Sequence, residues 1–174
     1  MGKIIFYEGK CFSGCRFECS NGCTDLTYLP NQCNSIRVES GSFMIYEKPN
    51  YDGNQYYLKK GDYPDLHCWM GASDSVQSCH LISVERGSFN VRLFGRIEFG
   101  GQVMDLMDDC PSVMDRFQVK DIFSCCVTEG NWLFYDHPNY GGKMYLIKPG
   151  EYKRFSEWGG RTARVGSVRR IVDY

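Results

Sequence analysis

A unit of about forty residues recurs four times along this chain, and that internal period constrains the fold more than any other feature of the sequence. Each copy carries one aromatic residue, a second aromatic further on and then a glycine: Tyr7, Phe12, Gly14; Tyr46, Tyr51, Gly53; Phe94, Phe99, Gly101; Tyr135, Tyr140, Gly142. Each also closes on a serine, at Ser35, Ser78, Ser124 and Ser167, spaced by 43, 46 and 43 residues. Matches are best two copies apart. Tyr46 with Tyr135, Tyr63 with Tyr152, Trp69 with Trp158, Ser35 with Ser124 and Ser78 with Ser167 all lie 89 residues apart, whereas Tyr7 with Phe94, Phe12 with Phe99 and Gly14 with Gly101 lie 87 apart. A pair of copies therefore duplicated as a block, with a two-residue indel between Cys23 and Ser35.

One such unit holds about four short strands, too few to close a core alone, so two units must pack as a sandwich. Alternation such as Ile36-Arg37-Val38-Glu39, an aromatic content of 15% and nineteen glycines favour antiparallel sheets joined by tight turns. The expected architecture is all-β in two domains, 1–82 and 89–174, with a short polar linker over 83–88. Short helical turns are expected within Pro64 to Met70 and Arg154 to Trp158.

Charge points to no partner. Twenty basic and twenty-one acidic residues, interspersed, leave a formal charge of −1, which gives no electrostatic case for nucleic acid or an anionic membrane. No apolar run approaches the roughly 20 residues of a membrane span, and the opening residues lack a signal-peptide pattern, so a cytoplasmic protein is expected. Gly2 does not form a myristoylation signal, because Phe6 stands where Ser or Thr is wanted. Ten cysteines in such a compartment are expected to stay reduced. Cys11, Cys15, Cys19 and Cys23 recur every four residues, unlike the paired spacing of zinc sites, and are read as small apolar residues, with the exposed ones open to oxidation.

Chemical constellations are weak. His67-Cys68 and Cys79-His80 are neighbours whose side chains would diverge in a strand, and the chain has no GxSxG, P-loop or HExxH signature, so no catalytic residues, cofactor or metal ligands are expected. Asp108-Asp109 reads as a solvated loop rather than an acid and base pair. Met104, Met107 and Met114 read as packing residues rather than an adaptable binding surface.

CNSIRV, YEKPNY, GDYPD with Trp69 and Met70, SCHLI, DDCPS, DRF, PNYGG, PGEY with Trp158 and VGSVRRI occur in an order that resembles the vertebrate lens γ-crystallins from Lys3 to Asp173. Abundant Cys and seven Met are similar to the methionine-enriched γM type of fish lenses. The resemblance implies two γ-crystallin-like domains, each a β-sandwich of two Greek-key motifs, at about 1–40, 41–82, 89–129 and 130–174. It implies that the aromatic-x-Gly turns are folded hairpins with their glycines at positive φ, that the four serines bond hairpin backbone, and that Tyr63 and Tyr152 are tyrosine corners. It places the domain interface at Met44, Tyr57 and Ile82 against Leu133, Leu146 and Ile171. It further implies a structural role in the lens-fibre cytoplasm, a monomer, and only weak short-range contacts with other crystallins. The alternative is a non-lens module of the same superfamily with a calcium-binding or stress-related role. The calcium loop of microbial relatives is broken here: PNQCNS, SDSVQS, VKDIFS and TARVGS neither begin with Asn or Asp nor carry Ser or Thr fifth. Three departures from the family pattern stand out, namely Phe43 where the second domain has Trp132, Gly95 in place of an acidic residue, and the hydroxyl of Tyr57.

Overall fold

Strand-forming runs broken by glycine give fifteen β-strands and one short α-helix among the described residues. The structure, a computed structural model, describes residues 2–27, 32–69, 71–83 and 87–172. Val84 to Arg86 of the expected linker and Met70 fall outside them. The chain divides into two compact units, Met1–Ser83 and Val84–Tyr174.

The first unit contains β1 (Lys3–Gly9), β2 (Ser13–Cys19), β3 (Gly22–Cys23), β4 (Ser35–Ser40), β5 (Phe43–Lys48), β6 (Asp52–Leu58), β7 (Gly61–Tyr63) and β8 (Ser78–Leu81). The second contains β9 (Asn90–Arg96), β10 (Gly100–Leu106), α1 (Val113–Phe117), β11 (Ser124–Glu129), β12 (Trp132–His137), β13 (Gly141–Ile147), β14 (Gly150–Tyr152) and β15 (Ser167–Arg170). All pairings described within each unit are antiparallel.

Within each unit the two repeats exchange strands. In the first, one sheet runs β2-β1-β4-β7, so the first repeat supplies three strands and the second supplies β7. The other sheet runs β6-β5-β8-β3, and here the first repeat lends β3. The second unit repeats the scheme as β10-β9-β11-β14 and β13-β12-β15, with a single bridge, Cys110 to Val168, in the place of β3. A forty-residue repeat thus leaves its core open and also lacks a strand that its sister provides.

Alternation decides what each sheet buries. Ile36 and Val38 on β4 point inward while Glu39 is exposed, and Ile4 and Phe6 on β1 join them with Leu26, Phe43, Ile45, Leu58 and Trp69. In the second unit Val91, Leu93, Met104, Leu106, Trp132, Phe134, Val168 and Trp158 form the matching core. Trp132 brings an indole N–H that must find a partner when buried, and Nε1 donates to the Glu129 carbonyl at 3.2 Å. Phe43 fills its position without that need.

Several expectations require correction. Only Met104 packs; Met107 is 62% exposed and Met114 46%, because Leu106 takes the inward direction beside Met107 and α1 buries only Val113. Asp109 is not simply solvated, since its Oδ1 accepts from Arg170 N–H at 2.8 Å and from Arg170 Nε at 3.1 Å, tying the loop before α1 to β15. The helical turns expected within Pro64 to Met70 and Arg154 to Trp158 are present as 3-10 turns at Leu66–Trp69 and Phe155–Trp158, so His67-Cys68 lies on a turn and only Cys79-His80 sits in a strand, where the two side chains diverge. The helix α1 was not foreseen; its Ser112 side chain caps it by accepting from Asp115 N–H at 3.1 Å.

Candidate functional site

The repeated positions converge on four folded hairpins, between β1 and β2, β5 and β6, β9 and β10, and β12 and β13. A two-residue stretch of left-handed backbone makes each fold. Cys11 and Phe12 have φ of 53 and 62°, Asn50 and Tyr51 59 and 60°, Glu98 and Phe99 54 and 61°, and Asn139 and Tyr140 57 and 61°. Gly14, Gly53, Gly101 and Gly142 follow at 80, 80, 75 and 76°. Glycine adopts that region freely, but for an ordinary side chain it costs about 1–2 kcal/mol per residue. Two strained residues per hairpin therefore need strong local compensation.

Each serine supplies part of it. Ser35 Oγ donates to the Gly9 carbonyl at 2.6 Å and accepts from Phe12 N–H at 2.9 Å. Ser78 does the same with Lys48 and Tyr51, at 2.6 and 3.0 Å. Ser124 bonds Arg96 and Phe99 at 2.6 and 3.0 Å, and Ser167 bonds His137 and Tyr140 at 2.7 and 2.9 Å. All four serines are fully buried, so one hydroxyl satisfies two backbone groups that would otherwise be desolvated without partners.

The first left-handed residue ties the hairpin to the sister repeat. Cys11 N–H donates to Pro64 O at 2.9 Å, Asn50 to Thr24 at 2.7 Å, Glu98 to Lys153 at 2.7 Å and Asn139 to Pro111 at 2.8 Å. No sequence signal marks these bonds, because the acceptors are backbone carbonyls of unrelated residues.

Aromatic rings close the fold. Tyr7 meets Phe12 edge-on with centroids 5.5 Å apart, Tyr46 meets Tyr51 at 5.4 Å, Phe94 meets Phe99 at 5.5 Å and Tyr135 meets Tyr140 at 5.6 Å. In three of the four copies the residue two places after the clamp serine then reaches the outer ring. Arg37 lies over Phe12 at 4.1 Å, Arg169 over Tyr140 at 3.6 Å, and the His80 ring stands edge-on to Tyr51 at 4.8 Å. That position was missed at the level of sequence, although Arg, His, Cys and Arg stand there in the four copies; the arginines add a cation–π attraction of about 0.5–1 kcal/mol.

The other implied positions are placed as follows. Tyr63 OH donates to Lys59 O at 2.8 Å, closing the loop before β7. Tyr152 OH donates to Lys148 O at 3.3 Å and accepts from Lys148 N–H at 3.0 Å before β14. Met44, Leu133, Ile171, Ile82 and Leu146 are buried and Tyr57 is half-buried. Gly95 sits beside Gln102 across the third hairpin, where Glu47 in the second accepts from Tyr56 OH at 2.9 Å and from Asn54 Nδ2 at 3.2 Å.

The ten cysteines stand as thiols: Cys19, Cys33, Cys79, Cys110 and Cys125 are buried, Cys23 and Cys126 half-buried, and Cys11, Cys15 and Cys68 exposed. Burial pushes the Cys33 thiol up to about 12. Cys79 Sγ donates to Cys19 Sγ at 3.8 Å, and that bond, aided by backbone N–H groups of Gly22, Asn21 and Ser20, draws the Cys19 thiol below its ordinary value while Cys79 moves up. Among the described residues no helix is long and apolar enough to cross a membrane and no group of three His, Cys, Asp or Glu side chains could hold a metal ion. The hydroxyls of the four serines and of Tyr63 and Tyr152 are spent on backbone, and what the arrangement does chemically is hold strained turns in place.

Comparison with known proteins gives the same picture over the whole chain. The profile of the family described as Beta/Gamma crystallin matches residues 3–82 and again 90–171. The chain is 53% identical over 173 residues to Gamma-crystallin M2 of Chiloscyllium indicum, covering 99% of this chain and 98% of that one. It is 54% identical to Gamma-crystallin S-1 of the same species, with 99% and 100% covered, and 51% identical to Gamma-crystallin B of Homo sapiens, with 99% of each covered.

Proposed function

The chain belongs to the beta/gamma-crystallin family, and from that premise we propose that it is a structural constituent of the eye lens, filling the fibre-cell cytoplasm as a monomer that touches other crystallins only through weak short-range contacts. The observation that carries the reading is full-length similarity, near half identity, to γ-crystallins of cartilaginous fish and mammals.

Such a role is a bulk property and asks for no active site. A concentrated protein raises refractive index in proportion to its polarisability, and this chain is rich in the groups that supply it: aromatic rings at 15% of residues, ten Cys, seven Met, and eleven Arg against nine Lys. It must also stay folded and dispersed. Folded hairpins and exchanged strands leave few long open sheet edges, the feature through which β-proteins aggregate. Near-neutral net charge would favour association, but opposite charges neighbour each other along the surface, as in Lys3 with Glu18 and Glu39, Arg37 with Asp62, and Arg92 with Asp105.

Differential refractometry on the purified protein tests the optical half, and transcript localisation tests the site of action. The expected outcome is a refractive increment above that of average soluble protein and expression concentrated in lens fibre cells. An ordinary increment together with broad expression would sink the reading.

A further inference from the structure

We propose that the Asn21–Gly22 bond is a spontaneous modification site at which the folded protein converts Asn21 to aspartate and isoaspartate. This is the one Asn-Gly pair in the sequence. Both residues are exposed, and Gly22 opens β3, a two-residue strand at the end of its sheet that pairs with β8 alone. An edge strand that short opens at low free-energy cost.

The ladder geometry leaves the attacking nitrogen outside the sheet. Leu81 N–H donates to the Asn21 carbonyl at 2.7 Å while Gly22 stands opposite His80. In an antiparallel pair that register makes Gly22 and His80 a non-hydrogen-bonded couple, so the Gly22 N–H points away from β8. It turns instead toward the Cys19 sulfur, so no backbone carbonyl of β8 holds it.

Packing also prevents the usual protection. A Cβ at Gly22 would lie 2.9 Å from the Cys79 carbonyl oxygen and 3.0 Å from the His80 Cα, so β8 requires glycine here. The same missing side chain leaves the approach to the Asn21 amide unhindered. Other asparagines are held differently: Asn34 Nδ2 donates to Glu8 O at 2.9 Å ahead of buried Ser35, and Asn54 Nδ2 donates to Glu47.

The reaction balances without a co-reactant other than water. Gly22 N gives its proton to solvent and bonds to Asn21 Cγ, and the side-chain nitrogen leaves as ammonia after taking up a proton. Water then opens the succinimide at either carbonyl, giving aspartate or isoaspartate. Either product adds one negative charge to the formal −1. The isoaspartyl form also lengthens the main chain by a methylene, which moves the Asn21 carbonyl off Leu81 N–H and loosens β3 over the buried Cys79.

The test incubates the full chain at neutral pH, folded in buffer and unfolded in denaturant, and maps isoaspartate by peptide using protein isoaspartyl methyltransferase as the probe. Isoaspartate is expected to accumulate at position 21 ahead of every other asparagine. The folded rate should be no more than about tenfold below the unfolded rate, as fits a cheaply opened edge. An Asn21→Ser variant, checked for native circular dichroism, should lose the signal. Slowing by more than that factor on folding, or faster accumulation elsewhere in the folded chain, would overturn the proposal.

Discussion

Two consecutive residues at positive φ set the energetics of every hairpin, and the chain meets that demand unevenly. Asn50 and Asn139 suit the left-handed region, whereas Cys11 and Glu98 have no local hydrogen-bonding device for it. Cys11→Asn should therefore raise stability by about 0.5 kcal/mol, read as an upward shift in the denaturant midpoint, since the residue is exposed and its backbone bond to Pro64 is kept. The clamp serines work in the opposite direction. Ser124→Ala removes the acceptor for Phe99 N–H and the donor to Arg96 O in a buried place, and should cost about 2 kcal/mol in equilibrium unfolding. These serines and the following glycines are visible as repeats because each needs one residue type. The first left-handed residue is not, because its N–H does the bonding and the side chain varies from Cys to Asn to Glu.

At the scale of elements, β7 and β14 matter more than their three residues suggest, because each is the strand that one repeat lends to the other. Both are reached through a tyrosine corner. Tyr152→Phe removes the hydroxyl that meets both backbone groups of Lys148 and should destabilise the second unit by about 1 kcal/mol. Tyr63→Phe should do the same to the first unit, and hydrogen exchange at β14 and β7 respectively should rise first. Strand existence was readable from glycine punctuation and alternation. Which sheet β3 and β7 would join was not, since two- and three-residue strands carry no register information of their own. The helix α1 escaped for a related reason: one turn after Ser112 presents a cap but only one buried side chain, too little to show as periodicity.

For the molecule as a whole, stability should fall in alkali, and the sign follows from burial. Desolvation raises the Cys33 thiol from 9.0 to about 12, and it raises Cys125 further. Burial likewise pushes Tyr145 up to about 12, and Tyr63 and Tyr152 move upward for the same first cause. A group whose pKa is higher folded than unfolded contributes stability that is complete below the unfolded value and is lost as pH rises through the folded one. The denaturant midpoint should thus decline between about pH 9 and pH 12, and Cys33→Ser should not reproduce wild-type behaviour across that window. Thiol labelling at neutral pH should modify Cys11, Cys15 and Cys68 well before Cys33 and Cys125. The amino-acid sequence by itself determined the fourfold unit, its duplication as a block, the β class and the residue types a folded hairpin needs, because each is written as a local pattern or a fixed spacing. Only the tertiary structure decided which strands the repeats exchange, which carbonyl receives each hairpin N–H, and that Met107 and Met114 face outward while Asp109 holds Arg170. Those outcomes depend on groups brought together from distant parts of the chain, and backbone atoms, which every residue shares, make most of the bonds.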